Sequence, residues 1–309
     1  METLHTAFWT IIGAILILKI FKSQKINIFK GLFTMGILIG SISMLSAQSK
    51  YDFDVKIVGK GTPIIMIPGF SSSGDVWNET AEHVKNNYEC HILTLPGFAG
   101  VKPVSGDFLL KMRDEIIAYT KEKHLKNPII MGHSLGGFLS ASIASTEPQL
   151  FKKVIIVDGV PFYPALQNPA ITEEQAKQFI NKDASVKQFT SMTDDQLKAF
   201  SEKGATALVT NPEKIKLVAS WEMKSDRTTL GTAFYEMMTT DLRADLTKII
   251  CPVLVLGSNY GTLKQSETML SEQYKNVKNL TLQIADAKHF IMYDNPQWFY
   301  DNLDKFLKN

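Results

Sequence analysis

The pentapeptide Gly132-His133-Ser134-Leu135-Gly136 is the stretch of this sequence best suited to chemistry. An apolar run over 129–131 leads into it and a small-residue run over 138–144 leads out. The pattern predicts a strand, a sharp turn and a helix with a serine at the apex. The flanking glycines let the backbone turn without Cβ clashes and leave the serine hydroxyl clear at the strand's end. The amide of Leu135, at the start of the helix, is placed to face a developing oxyanion. A serine hydroxyl is a weak nucleophile at neutral pH and needs a neighbouring base. Beyond residue 47 the chain holds five histidines, His83, His91, His124, His133 and His289. His83 and His124 fall on predicted solvated helices and His91 in a predicted strand. His133 is held by the turn itself, and His289 lies on a loop after the last predicted strand. A Gly-x-Ser-x-Gly string also arises by chance, so the surrounding elements must decide its meaning.

Those elements alternate. Residues 52–58 alternate polar with apolar (Phe53, Val55, Ile57), as an edge strand does. Residues 63–67, 90–95, 129–131 and 153–157 are short continuous apolar runs, as expected of strands buried on both faces. Helical periodicity lies between them, over 76–86, 107–123 and 138–144. The spacing predicts a parallel sheet covered by helices on both faces. The alternation stops at 161–245, where helix signals stand without a convincing strand. Thr172-x-x-Gln175 and Thr193-x-x-Gln196 read as capping boxes, and Pro212 marks a helix start. It resumes with a strand over 252–256, a helix over 263–274, a strand over 279–284 and a helix over 296–307. The expected organisation is therefore a core of 51–160 and 246–309 carrying a helical cap, 161–245.

The charge balance is informative by its distribution. Residues 1–47 hold four lysines and one glutamate, so the rest of the chain has 29 basic residues against 30 acidic ones. Such a body offers nothing to a polyanion, and no basic patch interleaved with aromatics suggests a nucleic-acid partner. Cys90 and Cys251 sit in or beside predicted strands and read as core residues rather than a disulfide or metal pair. No His/Cys cluster has metal-ligand spacing, and no cofactor is called for. Two apolar stretches open the chain, 7–18 and 31–45, each shorter than the ~20 residues of a comfortable membrane-spanning helix. The second follows Lys22, Lys25 and Lys30 and ends at Ser46-Ala47-Gln48, the parts of a secretory signal. Residues 1–47 are thus expected to be a leader cleaved after Ala47, with membrane attachment through the first stretch as the alternative. The protein would then work outside the cytoplasm.

The layout resembles the α/β-hydrolase superfamily. The residues that carry the resemblance are Gly132-His-Ser134-Leu-Gly136-Gly137, Ile67-Pro-Gly69-Phe70, and Lys288-His289-Phe290 followed by Asp294-x-Pro296-x-x-Phe299. It covers most of 52–309, with 161–245 in the place of that family's cap. It implies an α/β fold with a mostly parallel central sheet. It also implies Ser134 as nucleophile, His289 as base, and an oxyanion hole built from the amides of Phe70 and Leu135. The family usually places an acid after the strand that follows the cap. Here that segment reads Leu256-Gly257-Ser258-Asn259-Tyr260-Gly261 and has no carboxylate. The family's other placement is the end of the strand after the nucleophile helix, where Asp158 stands, 24 residues past the serine. Asp158 is therefore the expected third member. Asn259 and Asp286 are alternatives for orienting His289, and Asp294 is expected to cap the last helix.

The function this implies is hydrolysis of a small acyl ester, or of an amide or thioester, through an acyl-serine intermediate. C–C bond hydrolysis and acyl transfer are same-fold alternatives, and a binding protein without turnover is the alternative of another class. Serine at the elbow argues against dehalogenase and epoxide hydrolase chemistry, for which the family uses aspartate. Phe162, Tyr163, Trp221, Phe234, Tyr235, Met237 and Met238 can line an apolar cleft or form the cap's own core. Arg227 and Arg243 can meet a substrate carboxylate or be salt-bridged within the cap.

Overall fold

The computed structural model describes residues 50–308, so the expected leader and both apolar stretches of 1–47 lie outside the described residues. Seven strands form one sheet: β1 (Asp54–Gly59), β2 (Thr62–Ile67), β3 (Tyr88–Thr94), β4 (Ile129–His133), β5 (Lys153–Val157), β6 (Val253–Gly257) and β7 (Leu280–Ile284). Their order across the sheet is β1-β3-β2-β4-β5-β6-β7. β1 runs antiparallel to β3, and every other pairing is parallel. The continuous apolar runs have the two-sided burial they predict. In β2, Ile65 and Ile67 join the core on one face while Ile64 and Met66 join the core on the other. The edge strand is less regular than its alternation predicts. Phe53 is fully buried but precedes β1, and Ile57 is 54% exposed because only β3 flanks the strand.

Helices cover the sheet. α1 (Asn78–Val84) follows a 3-10 turn at Gly74–Trp77, and α2 is Phe108–Glu122. α3 (Leu135–Thr146) begins directly after Ser134, three residues before the small-residue run that predicted it, and is buried along almost its whole length. Between β5 and β6 the chain forms helices and turns and no strand. It passes a 3-10 turn at Tyr163–Leu166, α4 (Glu173–Phe179), α5 (Lys182–Thr190), α6 (Asp194–Leu208), α7 (Pro212–Met223), α8 (Arg227–Thr239) and a 3-10 turn at Asp245–Lys248. Both capping boxes form, at Thr172/Gln175 and Thr193/Gln196, and Asn211 caps α7 with Pro212 at its first position. α9 (Leu263–Gln273), the single turn α10 (Ile291–Asp294) and α11 (Pro296–Lys308) complete the chain. The sequence gives no warning of α10, which is too short to show a period.

One carboxylate of the insertion reaches the start of α2. Glu236 on α8 accepts the amides of Phe108 (3.0 Å) and Leu109 (2.7 Å) at the start of α2. Asp107, at the cap position of α2, makes no such bond itself. A helix start leaves its first amides without partners, and here an acid from the insertion satisfies two of them. Cys90 and Cys251 are buried free thiols, as their positions predict. No helix among the described residues is long and apolar enough to cross a membrane.

Candidate active site

Ser134 sits between β4 and α3 with φ 54° and ψ −118°, outside the regions a side-chain-bearing residue ordinarily adopts. Such a conformation costs on the order of 1–3 kcal/mol and persists only where the surroundings force it. Its amide donates to Val157 O (2.8 Å), which anchors the turn to β5. The flanking glycines are sterically required. A Cβ on Gly132 would stand 2.0 Å from Gly136 O, and one on Gly136 would stand 2.2 Å from Ile67 O. The turn therefore folds flat against itself and against the end of β2.

The loop that leaves β2 passes alongside. A Cβ on Gly69 would lie 3.2 Å from Ser134 Cβ and 2.9 Å from His133 Nδ1. Phe70, next in the chain, turns its ring onto Phe98 (5.4 Å between centroids). Among the described residues, neither the Phe70 amide nor the Leu135 amide has a hydrogen-bond acceptor. An oxyanion hole requires two such unengaged N–H groups near the serine.

His289, on the loop between β7 and α10, meets Asp158 at the end of β5. The Nδ1–Oδ2 distance is 2.6 Å, with the carboxylate fully buried and the imidazole 21% exposed. Asp158 is itself at φ 46°, and its amide donates to Leu256 O (2.7 Å), so backbone strain and a cross-strand bond aim the side chain. Burial works against the charge. The hydrogen bond and charge of His289, with two bonds from Ser258, outweigh it and hold the Asp158 carboxyl below the usual carboxylate range. Ser134, Asp158 and His289 line one cavity of about 260 Å³. Ser134 Oγ closes no hydrogen bond to His289 here, and contacts of this kind are commonly loose until substrate is bound.

The other candidates for orienting His289 are engaged elsewhere. Asn259 donates to Asp286 Oδ1 (3.0 Å) and accepts the Gly261 amide, so the two brace each other. Asp294 does not cap the last helix, contrary to expectation. It ends α10, and its two oxygens accept Thr210 N (2.9 Å), Thr210 Oγ1 (3.1 Å) and Lys288 N (3.3 Å), which fastens the histidine loop to the insertion. Of the remaining histidines, His83 pairs with Asp304 and His91 with Tyr119 and Glu89. His133 is fully buried, and its Nε2–H donates to the carbonyl of His289 (3.1 Å). Burial, with the nearby His289 charge, pushes its pKa down to about 3, so it stays neutral.

The insertion supplies less of the cavity's lining than its aromatics suggest. Tyr163 and Met237 line it, whereas Phe162 and Trp221 are buried away from it. Leu166, Ala207 and Leu208 also line it. They are ordinary aliphatic positions that nothing in the sequence sets apart. Both arginines are consumed internally. Arg227 bonds Met192 O and Asp194, and Arg243 clamps Asp241 and two carbonyls while stacking over Phe162.

A seven-stranded, mostly parallel sheet with a strained serine at the β4–α3 turn and a histidine after its last strand defines the α/β-hydrolase class. The chain matches the family described as alpha/beta hydrolase fold over residues 62–296, and it belongs to that family. Among curated proteins it is similar to the pimeloyl-[acyl-carrier protein] methyl ester esterase of Aeromonas hydrophila, 24% identical over 260 residues that cover 82% of this chain and 98% of that protein. The protein of the same description from Proteus mirabilis is 24% identical, over 80% of this chain and 94% of its own length. Among solved structures, a hydrolase from Pseudomonas aeruginosa superposes with a TM-score of 0.69 at 16% identity, covering 83% of this chain and 94% of that one. A thermophilic esterase from Thermogutta terrifontis gives 0.67 at 16% identity, covering 85% and 96%.

Proposed function

We propose that the protein hydrolyses a carboxylic ester through an acyl-serine intermediate. The observation that carries this is the 2.6 Å bond between His289 Nδ1 and buried Asp158, beside a serine in the strained turn. Ser134 Oγ attacks the ester carbonyl and passes its proton to His289 Nε2. The oxyanion lies between the amides of Phe70 and Leu135. His289 returns the proton to the leaving alkoxide, which departs as the alcohol. Water then repeats the sequence on the acyl-serine and releases the acid. Asp158 holds the imidazole with its proton on Nδ1 and stabilises the imidazolium that forms in each half. The insertion, 161–245, acts as the cap over this cleft, and the acyl chain lies against Leu135, Phe138, Val160, Leu166 and Met237.

The relatives' described activity, cleavage of a methyl ester on an acyl chain, belongs to the same reaction class. The lack of an acid after β6 favours a binding protein without turnover, and the bond of Asp158 to His289 favours hydrolysis over it. A fluorophosphonate probe tests the reading. Wild type should be labelled stoichiometrically at one serine, and Ser134→Ala should take up none. Equal labelling of the two proteins, or none of wild type, would sink it.

We further propose that the protein acts outside the cytoplasm, on the strength of the basic flank, apolar run and small residues of 22–47. Amino-terminal sequencing of protein recovered from the exported fraction should begin at Gln48 or within a few residues of it. Full-length protein confined to the cytosol would refute export.

A further inference from the structure

The segment after β6, where the family resemblance leads one to look for an acid, holds Ser258 and Tyr260 instead. Both donate to the acid on the neighbouring strand. Asp158 Oδ1 accepts the Ser258 amide (2.7 Å) and the Tyr260 hydroxyl (2.9 Å). Asp158 Oδ2 accepts Ser258 Oγ–H (2.8 Å) and His289 Nδ1–H (2.6 Å). A carboxylate has about four acceptor positions, and each is filled by a protein donor. Ser258 is buried. The hydroxyl end of Tyr260 is buried too, although its ring is partly exposed where it lines the cavity beside Ser134.

We propose that Ser258 and Tyr260 are positioning residues for the hydrolysis, acting through Asp158. They fix both carboxylate oxygens so that one lone pair remains for His289, and they spread the carboxylate's charge over three further donors. The inference rests on the reading of Ser134, His289 and Asp158 given above. A carboxylate that loses a donor concentrates its charge on the remaining partner and binds the imidazolium more tightly. The serine can be deprotonated only by neutral imidazole, so the acid limb of the rate profile should rise when a donor is removed. The other titratable groups around this pair are the buried neutral His133 at the end of β4, Lys288 on the histidine loop, Tyr163 at the start of the insertion, and Tyr274 after α9. Tyr274 donates to Gly159 O (2.9 Å), and Lys288 to Thr206 O (2.8 Å), so neither replaces a lost donor to Asp158.

The test is the pH dependence of kcat/KM for a neutral ester, measured on the full chain for wild type, Tyr260→Phe, Ser258→Ala and Ser258→Thr. The first two substitutions should move the acid limb upward by about one to two pH units, the size expected for one hydrogen bond to a charged group. Ser258→Thr, which keeps the hydroxyl, should restore the wild-type limb. The low-field proton resonance of His289 Nδ1–H reads the same bond without turnover and should shift in Tyr260→Phe and Ser258→Ala alone. A plateau that falls while the limb and the resonance stay in place would mean that both side chains only pack, and would overturn the proposal. Wild-type protein that turns over no ester would count against the function itself. The resonance would then still decide whether these two residues act on the Asp158–His289 bond.

Discussion

Asp158→Asn should lower kcat/KM by about four orders of magnitude while leaving the fold intact. The size follows from the donors around the residue. Oδ1 of Asp158 is claimed by a backbone amide, Ser258 N–H, and by the Tyr260 hydroxyl. An asparagine must therefore place its oxygen there and turn its NH2 toward His289. An NH2 cannot accept the Nδ1 proton. The imidazole must move that proton to Nε2, and so it presents Ser134 with a donor where a base is needed. The measurement is steady-state kinetics of the variant beside Asn259→Ala and Asp286→Asn, with the thermal midpoint as a check on folding. Those two residues bond each other rather than His289, so each substitution should keep activity within about tenfold of wild type. An Asp158→Asn variant within tenfold of wild type would remove Asp158 from the reaction.

The second large effect is on stability in acid. His133 is neutral when folded down to about pH 3, because burial and its charged neighbour oppose protonation. In the unfolded chain a histidine takes up its proton near pH 6.5. Between these limits the unfolded state binds more protons, so stability rises with pH across the window. The contribution is complete above about pH 6.5 and is lost as pH falls toward 3. It is at most on the order of 5 kcal/mol, a large share of the 5–15 kcal/mol by which domains are ordinarily stable. His91, whose pKa burial lowers against its bond to Glu89, adds in the same direction. Asp158, held below the ordinary carboxylate range, adds in the same direction once pH falls through about 4, where the unfolded carboxylate takes up its proton. Urea denaturation at pH steps from 7 to 4.5 should show a steep loss for wild type. His133→Gln keeps a donor toward the His289 carbonyl without a charge to gain, and its loss should be visibly shallower. Equal slopes for the two proteins would mean that His133 does not drive the acid sensitivity.

Much of the fold was legible because its signals are local. A strand buried on both faces must be apolar without interruption, and β2, β4, β5 and β6 are. A strained turn needs its glycines, and Gly132 and Gly136 announce it. His289 was legible through its place after the last strand read together with the family resemblance. Asp158 was legible only through resemblance, because one aspartate at a strand end looks like any other until the neighbouring strand is known. Ser258 and Tyr260 were passed over for the same reason. That segment has no carboxylate of its own, and its Ser258 and Tyr260 donate to the one on the neighbouring strand, a role with no local signature. Asp294 was misplaced because a helix-capping aspartate and one that bonds a distant threonine have the same local sequence, here Asp-Asn-Pro. Leu166, Ala207 and Leu208 left no trace, since lining a cavity imposes no spacing.

The bond between Asp158 and Ser258 joins residues that are close in space across 100 positions of chain. Most of those positions are the insertion, 161–245, which leaves the sheet from one strand and returns on the adjacent one. The acid's geometry is therefore set by two neighbouring strand ends and does not depend on the path taken between them. Helices can be lengthened, lost or re-sequenced in that interval without moving the carboxylate. The histidine is held differently, because its loop bonds Thr206, Leu208 and Thr210 of the insertion. Change in the insertion is therefore free for the acid and constrained for its partner at the end of α6.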